Sequence, residues 1–140
     1  MNVKVFNEQK NKEVVLCPYF FSSQKIYKFR NIKDYKSQNI IVMVNTERAT
    51  VYEAKDFADY MDNLIDEGNI RLIVDMENVY FMDSIFFGTM VRLLKRVNKE
   101  NGYVKLIINY NNKPEFLAIK TFKDIFETYP NLFEAINSKK

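Results

Sequence analysis

The sequence predicts an α/β domain built on one mostly parallel sheet with an antiparallel first strand, packed with about four helices. Two patterns carry that expectation. From residue 25 onward short apolar runs alternate with amphipathic stretches, and the run Ile70–Val74 is almost unbroken, as a strand covered on both faces requires. The length, 140 residues at 47% hydrophobic content, suits one domain with a real core.

Residues 1–24 read differently from the rest and form an N-terminal extension. A polar stretch, Asn7–Lys12, separates Val3–Phe6 from the apolar run Val14–Phe21, and Ser22-Ser23 marks a loop. The run is expected to pack on the domain, since leaving it in water costs ~25 cal/mol for each Å² of apolar surface. Residues 25–140 make up the main domain. Its first strand carries Ile26, Phe29 and Ile32, its second Ile40–Val44, and the short polar link 33–39 favours an antiparallel pair.

A helix over Thr50–Asp66 follows, opened by Thr50 and Glu53 in a capping box and carrying Ala54, Phe57, Ala58, Met61, Leu64 and Ile65 on one stripe. Gly68 is placed to end it in the left-handed conformation before the strand at 70–74, so this strand-helix-strand unit predicts parallel pairing with a right-handed crossover. A second amphipathic helix spans Ser84–Glu100, with Phe87, Met90, Val91, Leu94 and Val97 on its inner stripe and Gly102 punctuating its end. Val104–Ile108 is the next strand. Pro114 suits the first turn of a third helix, Phe126–Tyr129 a short strand, and Pro130 the opening of a last helix through Leu132, Phe133 and Ile136.

Composition removes several classes of function. With no histidine and a single cysteine, Cys17, the chain can build neither Cys/His metal sites, nor a Ser-His-Asp triad, nor an internal disulfide. A net charge of +3 with scattered basic residues gives no field for nucleic acid, and no apolar run is long enough to span a membrane. A cytoplasmic binding protein that is not an enzyme, with no cofactor and no metal, is the expectation. Asp75, Glu77 and Asp83 could together hold a cation, but Asp83 is more economically a helix cap and Glu77 a solvated loop charge. Gly68, Gly88 and Gly102 belong to no phosphate-cradling loop.

The segment Leu72-Ile73-Val74-Asp75-Met76-Glu77-Asn78-Val79-Tyr80-Phe81-Met82-Asp83-Ser84-Ile85-Phe86-Phe87-Gly88 is similar to the signature of the STAS domain family. There, a buried strand runs through an apolar loop to Asp-Ser-Ser/Thr-Gly-Leu-Gly at a helix start. The element order over 25–137 and the tail, Asp124-Ile125-Phe126-Glu127 through Glu134-Ala135-Ile136, also resemble the family. In its anti-sigma-factor antagonists the serine after that aspartate is phosphorylated by the anti-sigma factor, itself a serine kinase. The modified form does not bind until a phosphatase restores it.

Carried over, the resemblance places phosphorylation at Ser84 and partner contact at Asp83 and Ser84. The physics fits a switch: a serine at a helix start sits beside unsatisfied N–H groups, and a phosphate there adds about −1.5 to −2 charges. Asp-Ser is equally an ordinary N-cap pair. Ile85, Phe86 and Phe87 stand where the family has a hydroxyl residue, a glycine and a leucine; Gly88 is retained. A bulky ring at 86 is expected to occupy the space an approaching kinase would use. After the second strand, Asn45-Thr46-Glu47-Arg48-Ala49 lacks the glycine and aspartate often found in relatives.

Helical spacing sets Phe86 and Leu93 on the flank of the core stripe, as candidate partner contacts or as a surface that the N-terminal extension covers. The functional expectation is a regulatory antagonist switched at Ser84. Its alternative is a STAS scaffold or interaction module that works without phosphorylation, and an enzyme comes last.

Overall fold

A computed structural model describes residues 3–7, 12–16, 27–112 and 122–138, the first two segments by their backbone alone. The central sheet has five strands: β3 (Phe29–Asp34), β4 (Asn39–Val44), β6 (Arg71–Asp75), β8 (Tyr103–Ile107) and β9 (Glu127–Tyr129). They lie side by side in that order, and only β3 runs antiparallel to its neighbour. Two more strands, β5 (Arg48–Ala49) and β7 (Phe81–Met82), pair in parallel beyond the sheet. Four helices complete the described residues: α1 (Val51–Asp66), α2 (Ser84–Asn98), α3 (Phe122–Ile125) and α4 (Leu132–Asn137). At the N-terminus β1 (Val3–Asn7) and β2 (Lys12–Leu16) form an antiparallel hairpin. The side chains of the apolar run 14–21, expected to pack on the domain, and the helix expected to start at Pro114 lie outside the described residues.

The strands alternate as a two-sided sheet must. Ile40, Val42, Val44, Leu72, Val74, Val104 and Leu106 face α1 and α2 in one continuous core, while Ile41, Ile73 and Ile107 face the other way, toward Ala135 and Ile136 of α4. Phe29 follows the expected pattern and packs on Phe57 with ring centroids 5.3 Å apart. Ile32 does not: three residues on, it points to the opposite face and is exposed.

The expected helix signals are present at both ends of α1. Thr50 caps it within a full capping box, and Gly68 (φ 96°) closes it, with Asn69 N–H donating to the Leu64 carbonyl at 3.1 Å and Gly68 N–H to that of Ile65 at 2.9 Å. At the end of α2 the left-handed residue is Asn101 (φ 63°), not a glycine. Gly102 serves close approach instead, because a Cβ there would lie 2.2 Å from the Ile70 carbonyl oxygen. In α4 the cap is Asn131, whose side-chain oxygen accepts the Glu134 N–H at 2.9 Å; Pro130 precedes the helix.

The inner stripe of α2 corrects the sequence reading. Phe86, Met90, Leu93 and Val97 are its buried centre, with Phe86 and Leu93 only 0% and 2% exposed. Neither residue is available as a partner contact. The reason is that α2 packs on α1 as well as on the sheet, which turns its centre by about half a residue step from the expected stripe. Phe86 stacks on Phe57 of α1 at 4.8 Å between ring centroids, and Phe87 falls to the other flank against Phe122 at 5.3 Å. At the far end of this seam Asp62 accepts from Arg96 at 2.7 Å and Arg92 at 3.0 Å, and Arg96 also pairs with Asp66.

Candidate functional site

The short β5–β7 pair brings the starts of α1 and α2 together. Ala49 lies opposite Met82, and the Asp83 N–H donates to the Ala49 carbonyl at 3.0 Å. Both chains then turn into helices at the next residues. The loop before β7 is tied down as well: Tyr80 and Phe81 N–H groups share the Glu47 carbonyl at 2.8 and 3.0 Å, and the Arg48 guanidinium lies 4.4 Å over the Phe81 ring.

Asp83 is the N-cap of α2, and its two carboxylate oxygens serve two helices. One accepts the Phe86 N–H of its own helix at 2.9 Å; the other accepts the Val51 N–H, the first residue of α1, at 2.8 Å. Thr50 caps α1 beside it. Glu53 accepts both the N–H and the hydroxyl of Thr50, at 2.9 and 2.8 Å. Burial alone would raise the Glu53 carboxyl, but these bonds, with the Lys28 ammonium at 3.7 Å, hold it below the usual carboxylate range.

Ser84 is the first residue of α2 and is exposed. Around the two helix starts the surface carries large side chains open to solvent: Tyr52 is 86% exposed, Ile85 54%, Val51 51% and Tyr80 46%. Gly88, one turn beyond Ser84 on the same side of α2, is exposed too, and a Cβ built there meets nothing within 4 Å. No internal contact therefore asks for a glycine at that position.

Of the four residues expected to meet a partner, the structure brings Asp83 and Ser84 together at this edge and places Phe86 and Leu93 in the core. The expectation that the ring at 86 blocks approach to Ser84 is corrected with them, since that ring points into the α1–α2 seam. Sequence reasoning missed Val51, Tyr52 and Tyr80. The signal for Val51 and Tyr52 was present, because the Thr50/Glu53 capping box sets them in a first helical turn; what could not be read was that this turn lies beside Ser84.

The acidic trio Asp75, Glu77 and Asp83 does not converge. Asp75 turns back to accept the Glu77 N–H at 3.0 Å, Asp83 is committed to the two helix starts, and among the described residues no group of three or more acidic, histidine or cysteine side chains is placed to hold a metal.

Comparison with known proteins agrees with this architecture. Residues 31–135 match the family model of the STAS domain. No curated protein matches the chain. Among solved structures the fold is similar to an anti-sigma-factor antagonist (STAS) domain protein from Planctomyces limnophilus, with a TM-score of 0.66 at 19% identity over 80% of this chain and 97% of that one. It is similar to the Bacillus protein SpoIIAA, an anti-sigma factor antagonist. The unphosphorylated form gives 0.59 at 16% identity over 76% and 91% of the two chains, and the phosphorylated form 0.56 at 14% over 78% and 96%. It is also similar to part of the murine anion transporter Slc26a9, 0.56 at 15% identity, over 96% of this chain but 21% of that one. No helix of the described residues here is long and apolar enough to cross a membrane. At these identities the structural likeness speaks for fold. The family match covers most of the chain, and the sheet order accords with it: this protein belongs to the STAS domain family.

Proposed function

We propose that this protein is a regulatory binding module of the anti-sigma-factor antagonist type, which docks a partner protein through the paired helix starts and is switched by phosphorylation of Ser84. The observation that carries the reading is exposed Ser84 at the first position of α2, flanked by exposed Val51, Tyr52, Tyr80 and Ile85. Apolar and aromatic side chains of this kind supply docking area, while the hydroxyl supplies the control point. A phosphate there is favoured by the helix dipole, so the fold tolerates it, yet about −1.5 to −2 charges in the middle of an apolar contact oppose docking. Exposed Gly88 supports the same surface: a mid-helix glycine costs ~1 kcal/mol relative to alanine, and its bare backbone admits a close approach from outside. The partner class is a serine kinase that is also an anti-sigma factor, with a phosphatase restoring the unmodified state in the cytoplasm. The protein itself acts by binding and not by catalysis.

A scaffold role without phosphorylation is favoured by one observation, the exposed Ile85 where related sequences carry a second hydroxyl residue. Incubation with a candidate kinase and ATP, read by intact mass on wild type and Ser84→Ala, separates the two. Phosphate on wild type alone supports the switch. Phosphate on neither chain, with a control substrate modified, supports the scaffold.

A further inference from the structure

We propose that Asp83 is a positioning residue that couples the charge at Ser84 to the start of α1, so that Val51 and Tyr52 respond to events one helix away. The first N–H groups of a helix have no partner within it and are satisfied by a cap or by water. Thr50 already caps α1 through the Tyr52 N–H at 3.3 Å. The Val51 N–H is instead taken by a carboxylate 32 residues away, and that same carboxylate caps α2. The Asp83 N–H returns a bond in the other direction, to Ala49, so residues 49–51 and 83 are stitched by two bonds of opposite sense.

Two bonds to different helices meet at one carboxylate in this arrangement. Cap and clasp depend on one side chain with two oxygens, and the residue next to it is the exposed serine. A negative group placed on Ser84 repels the Asp83 carboxylate and competes with it for the same N–H donors. The α2 cap bond is local and is renewed by any oxygen at that helix start. The bond to Val51 is the long-range one, and it is the bond that is lost. Val51 is half exposed and its neighbour Tyr52 is the most exposed large hydrophobic side chain among the described residues, so releasing the Val51 N–H alters the docking surface as well as its charge. The inference rests on the reading of Ser84 as the modified position for its use, but not for its test, which needs neither kinase nor partner.

The experiment is amide hydrogen exchange by NMR on the full chain, following Val51 and Phe86. Asp83→Ser keeps a capping oxygen but has only one, so Val51 should exchange about tenfold faster, the loss of one hydrogen bond, while Phe86 stays protected. Asp83→Asn is the companion variant: it keeps the cap and sets an NH2 group against the Val51 N–H, with the same expected result. Ser84→Asp should change Val51 exchange in the wild-type background and leave it unchanged when combined with Asp83→Ser. Val51 protection that survives both Asp83 variants overturns the positioning role. An equal effect of Ser84→Asp in both backgrounds overturns the coupling. Either result would leave phosphorylation of Ser84 itself open to its own mass measurement.

Discussion

Ile85 and Phe86 are neighbours in one helix turn, yet one is 54% exposed and the other fully buried. The inward side of α2, through Phe86, Met90, Leu93 and Val97, holds the helix against α1 and the sheet; the outward side, through Ser84, Ile85 and Gly88, contributes little to that packing. A small domain can thus carry apolar side chains on its surface that its fold does not depend on. Substitutions that would ruin the first side are tolerated on the second, and the boundary between them is a single residue step.

The sharpest way to break this contrast is to truncate both neighbours. Phe86→Ala removes a ring stacked on Phe57 and should cost about 3–5 kcal/mol, read as a lower denaturant midpoint at unchanged slope. Ile85→Ala should cost well under ~1 kcal/mol while weakening partner binding. Equal losses of stability from the two would show that the outward side is structural. On that same side Gly88→Ala should stabilise by about 0.5–1 kcal/mol, since the added Cβ meets no atom within 4 Å, and should weaken docking if a partner approaches the bare backbone.

The far end of the seam gives a small effect and a pH signature. Burial pushes the Asp62 carboxyl up, but bonds from Arg92 and Arg96 outweigh it and hold the group below its usual value. A carboxyl depressed in the folded state contributes stability that is complete above its unfolded value, near pH 4, and is lost as pH falls through the lower folded value. Asp62→Asn should therefore destabilise by less than ~1 kcal/mol at pH 7, and the gap from wild type should close in acid. A gap that widens in acid would contradict the assignment.

Much of the fold was legible because its signals are local. The capping box at Thr50, the glycine at 68 and the nearly unbroken run at 70–74 each act within a few residues, and the structure reproduces them. The inner stripe of α2 was read off-centre, because periodicity locates the apolar face but not which neighbour covers it; here α1 shares that role with the sheet. Lys105 was missed for a similar reason. Within an apolar strand it looks misplaced, yet it is 1% exposed and its ammonium donates to the Ala135 carbonyl at 2.9 Å and to the Ser138 hydroxyl at 2.8 Å. A buried cation at the end of α4 complements the carbonyls of its last turn, a partnership across 30 residues that no spacing rule reveals. At the candidate site, the motif around Met82-Asp83-Ser84 identified the start of α2 but not the start of α1 beside it, which the β5–β7 pairing brings there.

A docking surface controlled at Ser84 should lose its partner when a charge is placed there at will. Titration calorimetry of a candidate serine-kinase partner against wild type, Ser84→Ala and Ser84→Asp, each first shown to keep its thermal midpoint, is the decisive measurement. Comparable affinity is expected for wild type and Ser84→Ala, with a loss of at least about tenfold for Ser84→Asp, the cost of one uncompensated charge in an apolar contact. Binding of all three chains with equal affinity would contradict it.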